Sequence, residues 1–392
     1  MVGYTTVKMD GGFGGDRLYK ISSYELFWVL TLMSIGMTVL ITIQPAIQSA
    51  GNYAWLSVLI AGVAATLITY QATLLARAYQ GKTFVQLCES LLGKWLAKLV
   101  ILNYLIMWTS VTAIILRMAS ELIYEFILYR TPLIVIISCL SVLIFYGVHL
   151  GIEVLSRSAT IFGPLVLLSI IVTIIFNIQN VELAHIQPVF VNIQIKPLLE
   201  GALTPVSLLG ESVIIIALTA FIKDIKMSQG AFMGAIIITA FGLTLVTFLV
   251  ISVLGVPFAV NQIFPYFTMV RKISLFNILQ RLDALAIVVW LMSVYFKMTL
   301  YTYCFSHVMK DAFRLKNRSL IAFVFVLVVT VLSLIPNNYL TDEYLYRTTY
   351  WIRYALPVNM VGIPLLLLMI HWIKSKMNGS RQKQQENETV SS

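Results

Sequence analysis

The apolar residues of this chain fall into long continuous runs separated by short polar stretches. Runs of roughly 18 or more apolar residues can cross about 30 Å of hydrocarbon. About ten such runs are present, near 25–46, 54–76, 97–119, 131–149, 159–178, 202–222, 230–256, 283–305, 318–336 and 351–373. The pattern predicts an all-α integral membrane protein with about ten transmembrane helices. Residues 1–20 form a tail ahead of the first run, and 374–392 are polar, Gln-rich and expected to be disordered.

Two runs are interrupted. The sixth carries Pro205, Ser207 and then Leu209-Gly210-Glu211-Ser212 near its middle. Gly lowers helix propensity and Pro removes a backbone donor. Irregular backbone at membrane depth is tolerated only where protein or a water-filled site receives it. A carboxylate at that depth costs roughly 2.5–3.5 kcal/mol on insertion scales, so Glu211 needs a cavity or a partner. The first run is broken in the same way at Ser34-Ile35-Gly36-Met37-Thr38 and closes on Pro45. Interrupted spans in corresponding positions of two halves point to a transporter-type site at the bilayer midplane. The alternative is a kinked helix whose neutral Glu211 is hydrogen-bonded inside the bundle.

Composition fixes the class. The chain is 59% hydrophobic and 11% charged, with mean hydropathy +0.89, outside the range of soluble globular proteins. A net charge of +10 could suggest nucleic acid. Most of the 27 Lys and Arg residues, however, fall on one side once the N-terminus is placed in the cytoplasm. That bias is the positive-inside rule, which predicts that both termini are cytoplasmic and leaves no need for a nucleic-acid partner. Cys88, Cys139 and Cys304 show no CxxC spacing and read as apolar packing residues, with neither a disulfide framework nor a metal site. The run of glycines at 11–15 is too short and unplaced to be a phosphate loop, and no cofactor is expected. The first span follows some two dozen mixed polar residues with no small-residue cleavage pattern, so it does not read as a removable signal peptide.

Lys297, deep in the eighth span, is the second residue that demands explanation. It can pair with a carboxylate, stand in for a coupling cation, or snorkel. Tyr104 and Trp108 lie one turn apart on the third span and share a face. Arg117 and Glu121 have the spacing of a helical ion pair. Glu153 and Arg157 either pair locally or form an inner gate. The stretch 177–201 reads as an outer loop packed over the site, with His185 exposed.

Ile21-Ser22-Ser23-Tyr24-Glu25-Leu26-Phe27-Trp28 leading to Ile35-Gly36, Gly51-Asn52-Tyr53-Ala54-Trp55-Leu56-Ser57-Val58, Gly81-Lys82-Thr83 and Leu92-Gly93-Lys94-Trp95 form a recognisable set. Arg130-Thr131-Pro132, Gly210-Glu211, Arg281-Leu282-Asp283, Trp290 and Phe296-Lys297 complete it. With these marks the chain, over about residues 20–373, resembles the B subunits of the bacterial spore-germination nutrient receptors. These are a branch of the amino acid–polyamine–organocation transporter superfamily. Asp283 departs from the pattern, since the family often has the longer Glu there, and a specific Arg281 pairing is not carried over.

The resemblance implies a five-plus-five inverted repeat of the LeuT type, with repeats at about 25–178 and 202–373 and with the first and sixth helices unwound around a small ligand. It implies work in the spore inner membrane beside a larger A subunit and a lipid-anchored C subunit. In that geometry, backbone N–H groups around Ile35, Gly36, Met37 and Thr38 would meet the carboxylate of an amino-acid-like germinant. Carbonyls around Leu208, Leu209 and Gly210 would take its ammonium, with Glu211 adding charge. Tyr104, Trp108 and Val294 would wall the side-chain pocket, and Glu211 and Lys297 are the candidates for gating or ion coupling. The expected function is nutrient sensing that triggers germination. The alternatives are a secondary amino acid or amine transporter coupled through Glu211 or Lys297, and a scaffold or conduit subunit with a vestigial site. No triad, metal cluster or phosphate loop suggests an enzyme.

Overall fold

The computed structural model describes residues 19–187, 193–273, 282–336 and 343–390. The glycine run at 11–15 and Arg281 lie outside them. Ser22 and Glu25 form a reciprocal capping box that starts helix α1 (Ser23–Ile41). A short helix α2 (Ile43–Ala50) continues it beyond a break at Thr42, and together they make the first crossing. The expected interruption at Ser34–Thr38 does not occur there. Pro45 supplies the reason: its ring and missing N–H cannot serve the carbonyl of Ile41, four residues earlier, so the helix breaks one turn before the proline.

The second crossing is α3 (Ala54–Ala78), and the third is the long limb of α4 (Phe84–Phe126) beyond Gly93. Helix α5 (Leu133–Asn177) supplies both the fourth and fifth. A straight helix of its 45 residues would be about 68 Å long, twice the thickness of the hydrocarbon. It turns instead at Gly151, where φ is +87°, a conformation that costs glycine nothing. The sixth crossing is α6 (Ile195–Leu209), a 3-10 segment (Gly210–Ile214), the single turn α7 (Ile215–Leu218) and a second 3-10 turn (Thr219–Phe221). Then come α8 (Ile225–Leu254), the short α9 (Val256–Ala259) and α10 (Pro265–Arg271), α11 (Leu282–Phe313) and α12 (Arg318–Leu334). The tenth crossing opens as a π-helix, Tyr346–Gly362, and continues as α13 (Ile363–Val390). Glu, Gln, Lys and Arg are good helix formers on an already nucleated helix. The Gln-rich tail is therefore helical as far as Val390, where composition had pointed to disorder.

The halves correspond. Each opens with an interrupted helix. Each also has a short helix between its second and third crossings, the limb of α4 before Gly93 in one and α10 in the other. The sixth crossing is the most deeply buried, at 94% of its apolar core, and α1 and α11 follow at 72% each, against 28% for α5. The exposed leucines and isoleucines of α5, such as Leu143, Leu165 and Ile171, form the outer, lipid-facing ring.

On the face where α1 begins, here the near face, the chain seals itself. Ile21 N–H donates to the Phe221 carbonyl at 2.7 Å, Lys223 N–H donates to the Ile21 carbonyl at 3.1 Å, and Lys20 Nζ donates to the Ala220 carbonyl at 2.6 Å. This ties the entry of the first crossing to the exit of the sixth. Glu153 and Arg157 pair locally at 2.7 Å on the same element. Of the outer stretch after α5, residues 188–192 lie outside the described ones, and the part before them is not seen over the bundle centre. It packs on the end of α8, with Glu182 N–H donating to the Ser252 carbonyl and the half-buried His185 ring beside Gly255.

Candidate ligand site at the centre of the bundle

The 3-10 segment at Gly210–Ile214 places Glu211 inside the bundle, 2% exposed. A 3-10 stretch within a helix tightens the turn and often marks a functional hinge. Facing it is one stripe of α11. Trp290, Val294, Lys297 and Tyr301 follow one another at three- and four-residue steps, and Ser293 lies three after Trp290 and four before Lys297, so they share a side of the helix. Trp290 Nε1 donates to the Gly36 carbonyl at 2.6 Å, and Ser293 Oγ donates to the Leu32 carbonyl. Lys297 Nζ lies 2.5 Å from Oε2 of Glu211, and Tyr301 Oη donates to the same oxygen at 2.5 Å. The other oxygen, Oε1, has no hydrogen-bond partner among the described residues, and Lys297 Nζ meets no further acceptor among them. A buried charge pair of this kind is kept only by close mutual approach, since each charge has given up its water.

The other expected site residues divide. Gly36 and Val294 meet: a Cβ on Gly36 would fall 2.5 Å from Ser293 Oγ and 3.5 Å from Val294 N. The glycine is there for close helix approach, and the backbone around it stays helical. Thr38 turns its hydroxyl back to the Ser34 carbonyl, and Ile35 is packed in the core. The carboxylate cradle of free N–H groups expected at Ile35–Thr38 is therefore absent from this state.

Met37 and Leu208 line a small cavity of about 30 Å³ between the first, third, sixth and tenth crossings. Leu209 points the other way, packing with Ala65, Ile236 and Ala240. Gly210 faces Met360 and Ile68. Tyr104 packs edge-on against Phe84 and tilted against Trp108, and Tyr104 Oη donates to the Asn359 carbonyl at 2.6 Å. The wall that α4 gives to the central cavity comes from Val111, Ile114, Ile115 and Met118 instead. Tyr301, Trp290 and Ser293 were not among the expected site residues. Their spacing from Lys297 on one helical face is the signal that could have found them. Arg117 pairs with Glu121 at 2.8 Å, as spacing indicated, away from this centre.

Two interrupted helices around a buried ionisable centre, held by an outer ring of continuous helices, define a membrane protein of the LeuT transporter fold. Two solved structures share it. The nucleobase–cation symport-1 family transporter Mhp1, in a closed conformation with bromovinylhydantoin bound, is 12% identical. It has a TM-score of 0.60 over 83% of this chain and 74% of that one. A manganese transporter of Eremococcus coleocola is 15% identical, also with a TM-score of 0.60, over 94% and 80%. The chain belongs to the spore germination protein family, whose family model matches residues 20–340. Spore germination protein KB of Bacillus subtilis is 27% identical over 92% of this chain and 97% of its own length. Spore germination protein XB of Bacillus anthracis is 23% identical over 88% and 97%.

Proposed function

We propose that the chain is the membrane subunit of a spore germinant receptor that senses a small nutrient, an amino acid or similar, at the midplane centre built on Glu211 and Lys297, and that this triggers germination. The observation that carries the reading is the half-satisfied ion pair. Among the described residues, Glu211 keeps an open acceptor in Oε1, and Lys297 keeps N–H donors with no acceptor beyond Glu211. A zwitterion carries the complementary groups. Its ammonium fits Oε1 of Glu211, its carboxylate fits Lys297, and Tyr301 holds the Glu211 carboxylate in place.

Glu211 and Lys297 are closed in on each other, and the neighbouring cavity lined by Met37 and Leu208, about 30 Å³, holds no more than about one water molecule and is not lined by either of them. The bound state is thus a different, more open arrangement of the first, sixth and tenth crossings. A ligand that binds only the open state shifts the population toward it, and a receptor needs nothing more. Family resemblance and the charge bias support cytoplasmic termini, A and C partner subunits and a spore inner-membrane location. The near-face seal then lies on the cytoplasmic side, and the ligand enters from the opposite one. Transport is not required. Counterflow of labelled amino acid into liposomes holding this chain alone would favour the transporter reading.

The test is thermal stabilisation of purified protein by a panel of amino acids and nucleosides, comparing wild type with Glu211→Gln. A compound that raises the melting temperature of wild type and not of the variant supports the reading. Equal shifts in both place the ligand elsewhere and sink it.

A further inference from the structure

A larger cavity of about 240 Å³ lies beyond the central one, toward the far face. It is bounded by Gln44 and Pro45 of α2, the turn at 260–264, and Glu343, Tyr344 and Arg347 at the start of the tenth crossing. Gln44 Nε2 donates to the Val260 carbonyl at 3.0 Å and so ties α2 to that turn. Ile41, Glu343 and Arg347 border both cavities. Between the two stands one ion pair: Arg347 Nε donates to Oε1 of Glu343 at 3.0 Å, with the side chains only 11% and 16% exposed. Arg347 Nη1 also reaches Thr204 Oγ1 at 3.5 Å, on the sixth crossing. Among the described residues, that accounts for two of the five N–H donors of a guanidinium.

We propose that this far-face cavity is a separate binding site for a small zwitterion bearing a carboxylate and an ammonium on neighbouring atoms, and that the Glu343–Arg347 pair both receives it and gates the centre. Size decides first. About 240 Å³ is roughly eight times the share of liquid volume of one water, enough for an amino acid, whereas the central cavity admits about one water. Charge decides next. The open N–H groups of Arg347 suit a carboxylate in forked geometry, and Glu343 suits an ammonium. Those bonds replace the bond the pair makes with itself, so binding costs little in unpaired charge. They also draw Arg347 from Thr204, its hydrogen bond to the sixth crossing, and so loosen the wall above the central cavity. The site stands or falls apart from the centre at Glu211.

Ile263, half exposed on the cavity rim, gives the readout. Ile263→Cys is made in a Cys139→Ser background, Cys88 and Cys304 being buried. The alkylation rate of the introduced thiol is then followed in purified full-length protein with each standard L-amino acid alone. At least one amino acid should slow alkylation, and its analogues lacking either the amino or the carboxyl group should not. The concentration giving half-protection should rise at least about tenfold in Arg347→Gln and in Glu343→Gln, and stay within about twofold in Glu211→Gln. Protection by no amino acid overturns the proposal. So does protection that survives both gate substitutions, or that vanishes in Glu211→Gln, which would assign the ligand to the centre. If Arg347→Gln does not yield monodisperse protein, Glu343→Gln decides alone, and unchanged protection there overturns it.

Discussion

Lys297 Nζ lies 2.5 Å from Oε2 of Glu211, with the two side chains 1% and 2% exposed. One residue comes from the 3-10 segment of the sixth crossing and the other from the middle of the eighth, so the pair ties two crossings of the second half together. Charge withdrawn from both water and lipid is stable only as a pair. Separating the partners therefore requires something to take the place of each.

Removing one partner should cost far more than removing both. Lys297→Met leaves Glu211 buried with Tyr301 alone and should destabilise the fold by about 3–5 kcal/mol, whereas Glu211→Gln with Lys297→Met should recover most of that loss. Melting curves of the singles and the double in one detergent measure the coupling. Additive losses would mean that the two charges do not depend on each other.

Tyr301→Phe removes a hydroxyl that donates to the Glu211 carboxylate at 2.5 Å. A hydrogen bond to a charged group is worth about 1.5–3 kcal/mol, so the melting temperature should fall measurably while membrane abundance holds. Under the sensing reading, response to germinant should weaken in the same variant. An unchanged melt would show that Lys297 alone satisfies the carboxylate.

Gly36→Ala should destabilise by about 1–3 kcal/mol through overpacking, because the added Cβ meets Ser293 Oγ at 2.5 Å and its Cβ at 2.8 Å. Adding Ser293→Gly should restore most of the loss, as measured by thermal melting. Failure of that rescue would locate the strain elsewhere. Larger residues at Gly36 are poor probes of ligand binding, since they separate the first and eighth crossings whatever the ligand does.

Ile21 and Ile222 form one isolated parallel β-bridge. Strand spacing of about 4.8 Å lies within the Cα separation a disulfide accepts. Ile21→Cys with Ile222→Cys, in a Cys139→Ser background, should therefore crosslink under oxidation and hold the near face shut. Spores carrying the crosslinked protein should respond poorly to germinant and recover on mild reduction. A normal response with the crosslink intact would show that the near face need not open.

Much of the architecture lay in one dimension. The ten apolar runs, their approximate bounds and the helical pair Arg117–Glu121 are all local. Each depends on neighbours within a turn or on the length needed to cross a bilayer. Glu211 and Lys297 could be singled out for a similar reason: a charge in an apolar run is conspicuous without any knowledge of its neighbours. The position of the helix break was less legible. Gly36 and Pro45 both weaken a helix, and sequence cannot say which acts. Ser293, pressed against Gly36 from the eighth crossing, turns the glycine to packing, and Pro45 sets the break at Thr42.

The chain alone thus determined the class of protein, the number and order of its crossings and the two buried charges that needed an explanation, because hydrocarbon solvation acts on each segment separately. Tertiary structure decided what those segments do together. It brought Lys297 and Tyr301 to one oxygen of Glu211 and turned Leu209 away from the centre while Leu208 lines it. It also put Val111 and Ile115, rather than Tyr104 and Trp108, on the cavity wall. Those outcomes depend on how far each helix rotates and slides against its neighbours. That is set by side-chain interlocking between residues tens to hundreds of positions apart, which no local pattern records.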